Sequence, residues 1–381
     1  MSHSPSGQGR PARTVMQALF ARCRRALQRG AAGVRADHYV KRYQSVNLAL
    51  GLIGYFLLEL SSLRQLTLEL EEHERFARLT GLAGLSKAQL PKALHARPPA
   101  LWGPLLQALL RQLHPSRVPG VLRVMDTTFF VMGSKLFARY FARRCTPHTA
   151  GFKAGMVWDP QLAAPVRLVC RAGQGNDAQY LAELLPPHLD LTGQMYLFDR
   201  GFRRYRFYDE LIERGAHFIT RAGRQGSYEV QAVLPLDRSH PTLLSDELVF
   251  LGKGRYRMRH PLRRILLQTA QGPLVFLTSD RQLSAWEVTE LYRRRWEIEV
   301  FFRWLKRVIG CQRPLAYSTA AAQHTLFAAL VCYLLLLLWA QQQLPFDERG
   351  ALRGLKKAWR RLRIRLSETA RRHDLKCLGF L

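Results

Sequence analysis

The chain has 381 residues, 48% of them apolar, enough for roughly two or three compact units and too much for wholesale disorder. Lys and Arg number 58 against 28 Asp and Glu, a formal charge of +30. Arginine carries most of that excess, and its planar fork suits phosphate, so a polyanion, nucleic acid first, is the expected partner. Six scattered cysteines (Cys23, Cys145, Cys170, Cys311, Cys332, Cys377) form neither a CxxC nor a Cys/His cluster. A zinc module and a secreted disulfide framework are thereby excluded, and a reducing cytoplasm fits.

In chain order, residues 1–35 are Ser/Gly/Arg-rich and then basic, the composition of a flexible arm, and contain no secretory signal pattern. Residues 36–116 read as a helical domain, with apolar runs at Val46–Leu60 and Leu101–Leu113 broken by Gly and Pro. Within it, Leu82–Arg97 reads as a turn into a helix with Ser86 at the N-cap, either part of a DNA-reading unit or an ordinary helix pair. From Pro119 the texture changes to short apolar strands. Gly120–Met125 ends on Asp126, Gly155–Trp158 and Pro165–Cys170 follow, and Asp177 is placed to cap a helix through Leu185. Met195–Phe198 then ends on Asp199, with a helix at Phe207–Arg214 and a strand at His217–Thr220.

That order predicts an α/β domain over residues 117–345 with acids at the carboxyl ends of strands. Residues 223–280 alternate strand-like runs (Leu248–Phe250, Arg264–Gln268, Leu274–Thr278) with Gly, Pro and Arg, and read as a β-rich insertion. Long helices at Ser284–Ile309 and Gln323–Gln342 come next, then a basic tail, 346–381, in which Arg353–Arg365 is a DNA contact or a solvated face. His324–Ala340 is very apolar but shorter than the roughly 20 residues of a membrane span, and reads as a buried core helix.

On a helical projection of Leu291–Arg307, Tyr292, Arg295, Glu299 and Lys306 fall within an arc of roughly 60°, with Trp296, Arg303 and Arg307 extending that face. Ile298, Val300, Phe301, Phe302, Trp304 and Leu305 fill the opposite side, and Glu297 sits awkwardly among them. A carboxylate among cations describes a surface salt-bridge helix equally well. What points elsewhere is its company: Asp126 and Asp199 each follow an apolar strand, where open α/β sheets bind ligands. Two such acids on neighbouring strands, with a third from a helix, make an oxygen donor set for hard divalent cations and for displacement at phosphorus.

Tyr292-x₂-Arg295-x₃-Glu299-x₆-Lys306 resembles the Y-R-E-K signature of the insertion-sequence-four family of bacterial transposases. Asp126-Thr127 and the Asp199–Phe202 stretch, DRGF, are similar to that family's other two acidic boxes. Ser62–Leu66 (SLRQL) and Leu85–Leu90 (LSKAQL) look like its leading helical domain. The resemblance covers most of residues 36–345. It implies a ribonuclease-H-like catalytic domain interrupted by a β-rich insertion, and 100 residues do separate Asp199 from Glu299.

It further implies that Asp126, Asp199 and Glu299 are catalytic and bind two Mg²⁺ ions, with Mn²⁺ as substitute. Tyr292, Arg295 and Lys306 become contacts to the transposon-end DNA. Trp296 is either a stacking platform for a base turned out of the duplex or part of the core. Asn176-Asp177 stands where relatives tend to have His-Asp, the acid being either a helix cap or a group that tunes the site and its metal preference, and Lys153–Met156 departs from a Lys-Leu-His pattern. The expected activity is cut-and-paste transposition: binding of double-stranded DNA at inverted repeats, cleavage, and joining of 3′-hydroxyls to target DNA by a homo-oligomer, a dimer on DNA, in the bacterial cytoplasm at the nucleoid. A nuclease that does not join and a catalytically silent DNA-binding repressor are the alternatives.

Overall fold

The computed structural model describes residues 13–38, 40, 42–113, 122–131, 151–173, 175–223, 226–311, 315–316, 318–343 and 360. The basic tail 346–381 lies outside the described residues apart from Arg360, as do Cys145 and Cys377. The chain divides into two compact units, a helical one holding the described residues up to 113 and from Trp304 onward, and a sheet unit holding 122–130 and 151–303.

In the helical unit, Arg13–Gly33 is a helix, not the flexible arm that its composition suggests. Phe20, Cys23, Ala26, Leu27 and Ala31 recur at three- and four-residue spacing and are all buried, an apolar stripe hidden among arginines. Ser45–Leu57, Leu63–Glu72, Glu74–Thr80, Gln89–Ala96 and Gly103–Leu113 follow. Ser62 caps its helix by accepting from Gln65 N, while Gln65 Oε1 accepts from Ser61 N (2.7 Å). Ser86 repeats only half of that device: its N–H donates to Gln89 Oε1 (2.9 Å), and the helix starts at Gln89 without a side-chain cap.

Thr319–Gln343 belongs with these helices, whereas the sequence places it in the catalytic domain. By length and composition it is apolar enough to cross a membrane, and most of it is buried inside the protein. Its one buried histidine is fully used. Trp102 Nε1 donates to His324 Nδ1 (2.8 Å), and His324 Nε2 faces Arg97 O (3.2 Å). One ring nitrogen accepts and the other donates, which only the neutral imidazole can do.

The sheet unit is built on nine strands: β1 (Leu122–Val131), β2 (Gly151–Asp159), β3 (Ala164–Ala172), β4 (Met195–Phe198), β5 (His217–Ala222), β6 (Tyr228–Val233), β7 (Leu243–Leu251), β8 (Leu262–Leu267) and β9 (Leu274–Thr278). Their order is β3-β2-β1-β4-β5-β9-β8-β7-β6. β1, β4 and β5 are mutually parallel, and β9, β8, β7 and β6 continue the sheet as an antiparallel meander. The segment read as an insertion is thus part of the same sheet.

β1 runs on through Asp126 to Val131 instead of stopping before it. The helix expected from Asp177 is a 3₁₀ turn, Asp177–Tyr180, followed by the single α-turn Leu181–Leu184. Its cap is Asn176, whose side chain accepts from Ala178 N (3.1 Å), so the carboxylate of Asp177 is not spent on capping.

One face of the sheet carries a core in which Phe198 meets Phe202, Phe207, Tyr208 and Phe218 with ring centres 5.5–6.1 Å apart. Because side chains alternate along a strand, burying Met125 and Phe198 in that core sends the next residue on each strand, Asp126 and Asp199, the other way. On the helical side, burial pushes the His324 imidazole down to about 4.

A depressed histidine makes stability complete above the unfolded value of 6.5 and lost as pH falls towards 4. Unfolding followed by circular dichroism should show that loss, and His324→Gln should flatten it while lowering stability at pH 7 by about 1–3 kcal/mol. A wild-type profile level between pH 6.5 and 4 would contradict this role.

Candidate active site

Parallel pairing aligns Leu122 with Met195 and continues in step to Met125 with Phe198. Asp126 and Asp199 are the residues next after that aligned pair, so they stand side by side at the ends of the paired stretch, where strand backbones are about 4.8 Å apart. Asp126 Oδ1 accepts from Thr127 N (2.7 Å), and Asp199 Oδ1 accepts from Gly201 N (2.7 Å), each acid being braced by the backbone just after it. Phe202, at the end of DRGF, is fully buried and anchors that turn to the core.

The third acid arrives on a helical segment that the sequence reads as continuous from Ser284 to Ile309. It is in fact interrupted. Ala285–Arg293 ends, Arg294 and Arg295 form a tightened turn with i→i−3 backbone bonds, and a second helix runs Trp296–Trp304. Ser284 and Glu287 form a complete capping box at the start. Phe301 packs on Trp158 of β2, ring centres 4.5 Å apart, which fixes the second helix against the sheet.

Arg295 is the centre of the arrangement. Its guanidinium bonds Glu299 through Nη2 and reaches Asp126 Oδ2 through Nη1 at 3.4 Å. Burial disfavours its charge, but Tyr292, Asp126 and Glu299 outweigh that effect and hold its pKa above the ordinary arginine value. Burial pushes Asp126 up to about 7; nearby Asp199 and Glu299 push the same way, while the Thr127 N–H and Arg295 oppose them. Among the described residues, no three acidic, His or Cys side chains group closely enough to hold a metal ion as they stand. A guanidinium lies between two of the acids instead. The donor set nonetheless fits a hard divalent cation: three carboxylates, one of them kept from easy ionisation until positive charge is supplied.

The other expected residues divide. Tyr292 is only 8% exposed and packs edge-on against Phe276 of β9 (5.3 Å). Burial pushes its phenol up to about 12. Its ring therefore backs Arg295, whose guanidinium carbon is 5.8 Å from its centre. Helical spacing showed which face it shares but not that β9 covers that face.

Trp296 is 53% exposed and so is not core; Arg303 lies over its ring at 5.6 Å. Glu297 pairs with Arg294 (2.9 Å) at the surface, which resolves its awkward place in the projection. Lys306 belongs to the helical unit, in the π-helical turn Leu305–Ile309, where burial lowers its pKa and Cys311 opposes the shift. Sequence reasoning missed a contact beside the acids: Asp177 Oδ1 accepts from Thr127 Oγ1 (2.5 Å) and pairs with Lys153.

Comparison with known proteins agrees with this geometry. Residues 119–335 match the family described as the transposase DDE domain. A Sinorhizobium fredii protein whose name describes it as a transposase, y4zB, is 30% identical over 263 residues, covering 66% of this chain and 71% of the relative. A Geobacillus stearothermophilus protein, named as the transposase for insertion sequence element IS5377, is 26% identical over 226 residues, 58% of this chain and 57% of the relative. The matched family spans the strands that carry Asp126 and Asp199 and the helix that carries Glu299, and the chain belongs to it: this is a DDE-type transposase, an enzyme that acts on DNA.

Proposed function

We propose that the chain is a cut-and-paste transposase of the insertion-sequence-four kind, binding inverted repeats at transposon ends and working with Asp126, Asp199 and Glu299. The observation that carries the proposal is that Arg295 bridges Asp126, from a strand, and Glu299, from a helix, while Asp199 on the neighbouring parallel strand stands beside Asp126. The strand order β3-β2-β1-β4-β5, with β1, β4 and β5 parallel, supports a ribonuclease-H-like catalytic fold in which β6 to β9 are the insertion.

Asp126, Asp199 and Glu299 would hold two divalent cations, Mg²⁺ or Mn²⁺. Such ions supply Lewis acidity at a phosphoryl oxygen and an activated oxygen nucleophile at neutral pH. The rest falls to the chain itself. Arg295 brings a fixed positive charge to the place where phosphate charge grows during displacement. In the first reaction water adds to phosphorus and the bond to the 3′ oxygen breaks, freeing a 3′-hydroxyl. In the second, that hydroxyl bonds to a target phosphorus and one strand bond of the target breaks, so the number of phosphodiesters is conserved.

Trp296, exposed beside Arg295, offers a ring face on which an unstacked base can rest. Lys306 and the excess of arginine contribute phosphate contacts along the DNA. Joining two ends calls for two copies of the chain on the DNA, hence a dimer in the complex.

Glu299→Ala should abolish release of a DNA segment bearing the gene's flanking sequences while changing its binding less than about threefold. Cleavage unchanged in that variant would remove Glu299 from the site, and binding without metal-dependent cleavage in the wild type would favour a silent DNA-binding protein.

Asp126 also sets a pH dependence. Its proton competes with a cation, so Mn²⁺ affinity measured by calorimetry should rise roughly tenfold per pH unit below about 7 and level off above it. A pH-independent affinity between 5 and 7 would show that Asp126 is not a ligand.

A further inference from the structure

We infer that Asp177 is a positioning residue for this reaction, setting the aim of Asp126 through Thr127; the inference rests on the acidic-site reading above. Asp177 opens the 3₁₀ turn after β3, but Asn176 caps that turn, leaving the Asp177 carboxylate available elsewhere. It is spent on two contacts. Oδ1 accepts from the Thr127 hydroxyl at 2.5 Å, in the range of a charge-assisted O–H···O⁻ bond, and the same oxygen pairs with the ammonium of Lys153. That ammonium also donates to Gly175 O (2.9 Å), and Tyr180 Oη donates to Lys153 O (3.2 Å), so the base of the contact is fixed. Asp177 and Lys153 are mostly buried, with side chains 19% and 14% exposed.

Thr127 is the link. Its side chain and that of Asp126 point to opposite faces of β1, yet its own N–H donates to Asp126 Oδ1 at 2.7 Å. Holding the Thr127 hydroxyl from one face therefore holds the peptide that aims Asp126 on the other. The second oxygen of Asp177 comes close to the other strand acid. A methyl group on Gly201 would stand 2.0 Å from Asp177 Oδ2 and 2.9 Å from Asp199 Oδ1. Glycine at that point of DRGF lets the two carboxylates approach, so Asp177 lies beside Asp199 as well as reaching Asp126 through Thr127. Partners of this kind around ligating groups typically change metal affinity or activity by about 10- to 100-fold when removed.

The test uses Asp177→Ala, Thr127→Val and Thr127→Ser in the full chain, with Mn²⁺ binding by calorimetry beside DNA cleavage. Asp177→Ala and Thr127→Val should each weaken Mn²⁺ binding and slow kcat by about tenfold, with little change in KM for DNA, and the double variant should be no worse than either alone. Thr127→Ser, which keeps the hydroxyl, should restore wild-type behaviour. Thermal unfolding identifies a variant that fails to fold; should Asp177→Ala do so, the comparison of Thr127→Val with Thr127→Ser still decides.

Wild-type Mn²⁺ affinity and kcat in Thr127→Val, or independent losses that multiply in the double variant, would overturn the inference. Failure of the underlying reading looks different: Asp126→Ala itself would then leave Mn²⁺ binding and cleavage intact.

Discussion

Three carboxylates do not gather in a partly buried site unless positive charge stands among them, and in this protein the charge is Arg295. Burial, reinforced by the nearby carboxylates of Asp199 and Glu299, pushes Asp126 up to about 7, while the Thr127 N–H and Arg295 hold it down. Arg295 answers two of the acids at once because the helical turn before Trp296 is tightened, and because Glu299 lies four residues on, one helical turn away. Tyr292 and Phe276 support the guanidinium from behind.

The fold exists, in this view, to hold that charge arrangement in register. β1 and β4 pair in parallel up to Met125 and Phe198, and both of those residues are pinned in an aromatic core. A slip of one residue in either strand would turn its acid to the wrong face. The buried ion pair Arg123–Asp159 (2.7 Å) ties β1 to the end of β2, and Arg263–Asp246 (2.5 Å) ties β8 to β7 in the meander. Breaking one partner of such a pair is far costlier than the pair's net contribution, so they resist rearrangement more than they add stability.

Much of this was legible in the residues, and the exceptions have physical reasons. MYLF followed by Asp199 is a four-residue strand, β4, at the expected place. The two aspartates stood out because each follows a strand-like apolar stretch, MYLF before Asp199 and GVLRVM, broken only by Arg123, before Asp126. β6 was not visible: Tyr228–Val233 is exposed along its whole length at the sheet edge, so no buried face imposes alternation on it. The helix Arg13–Gly33 was masked by its arginines, since its apolar stripe is narrow and its composition is that of a solvated arm. Burial of Tyr292 depends on Phe276, sixteen residues earlier on another element, a contact no local pattern encodes. Asp177 looked like a helix cap because Asn176, one residue away, is equally suited to that task and takes it.

The central claim, that Asp126, Asp199 and Glu299 form a single cation site balanced by Arg295, is tested most directly by anomalous diffraction from crystals of the full chain soaked in Mn²⁺. The account predicts manganese peaks about 2.1 Å from carboxylate oxygens of Asp126 and Asp199, with Glu299 completing the set and Arg295 turned away from Asp126. Manganese bound elsewhere, with Arg295 still joining Asp126 and Glu299 at saturating metal, would contradict it.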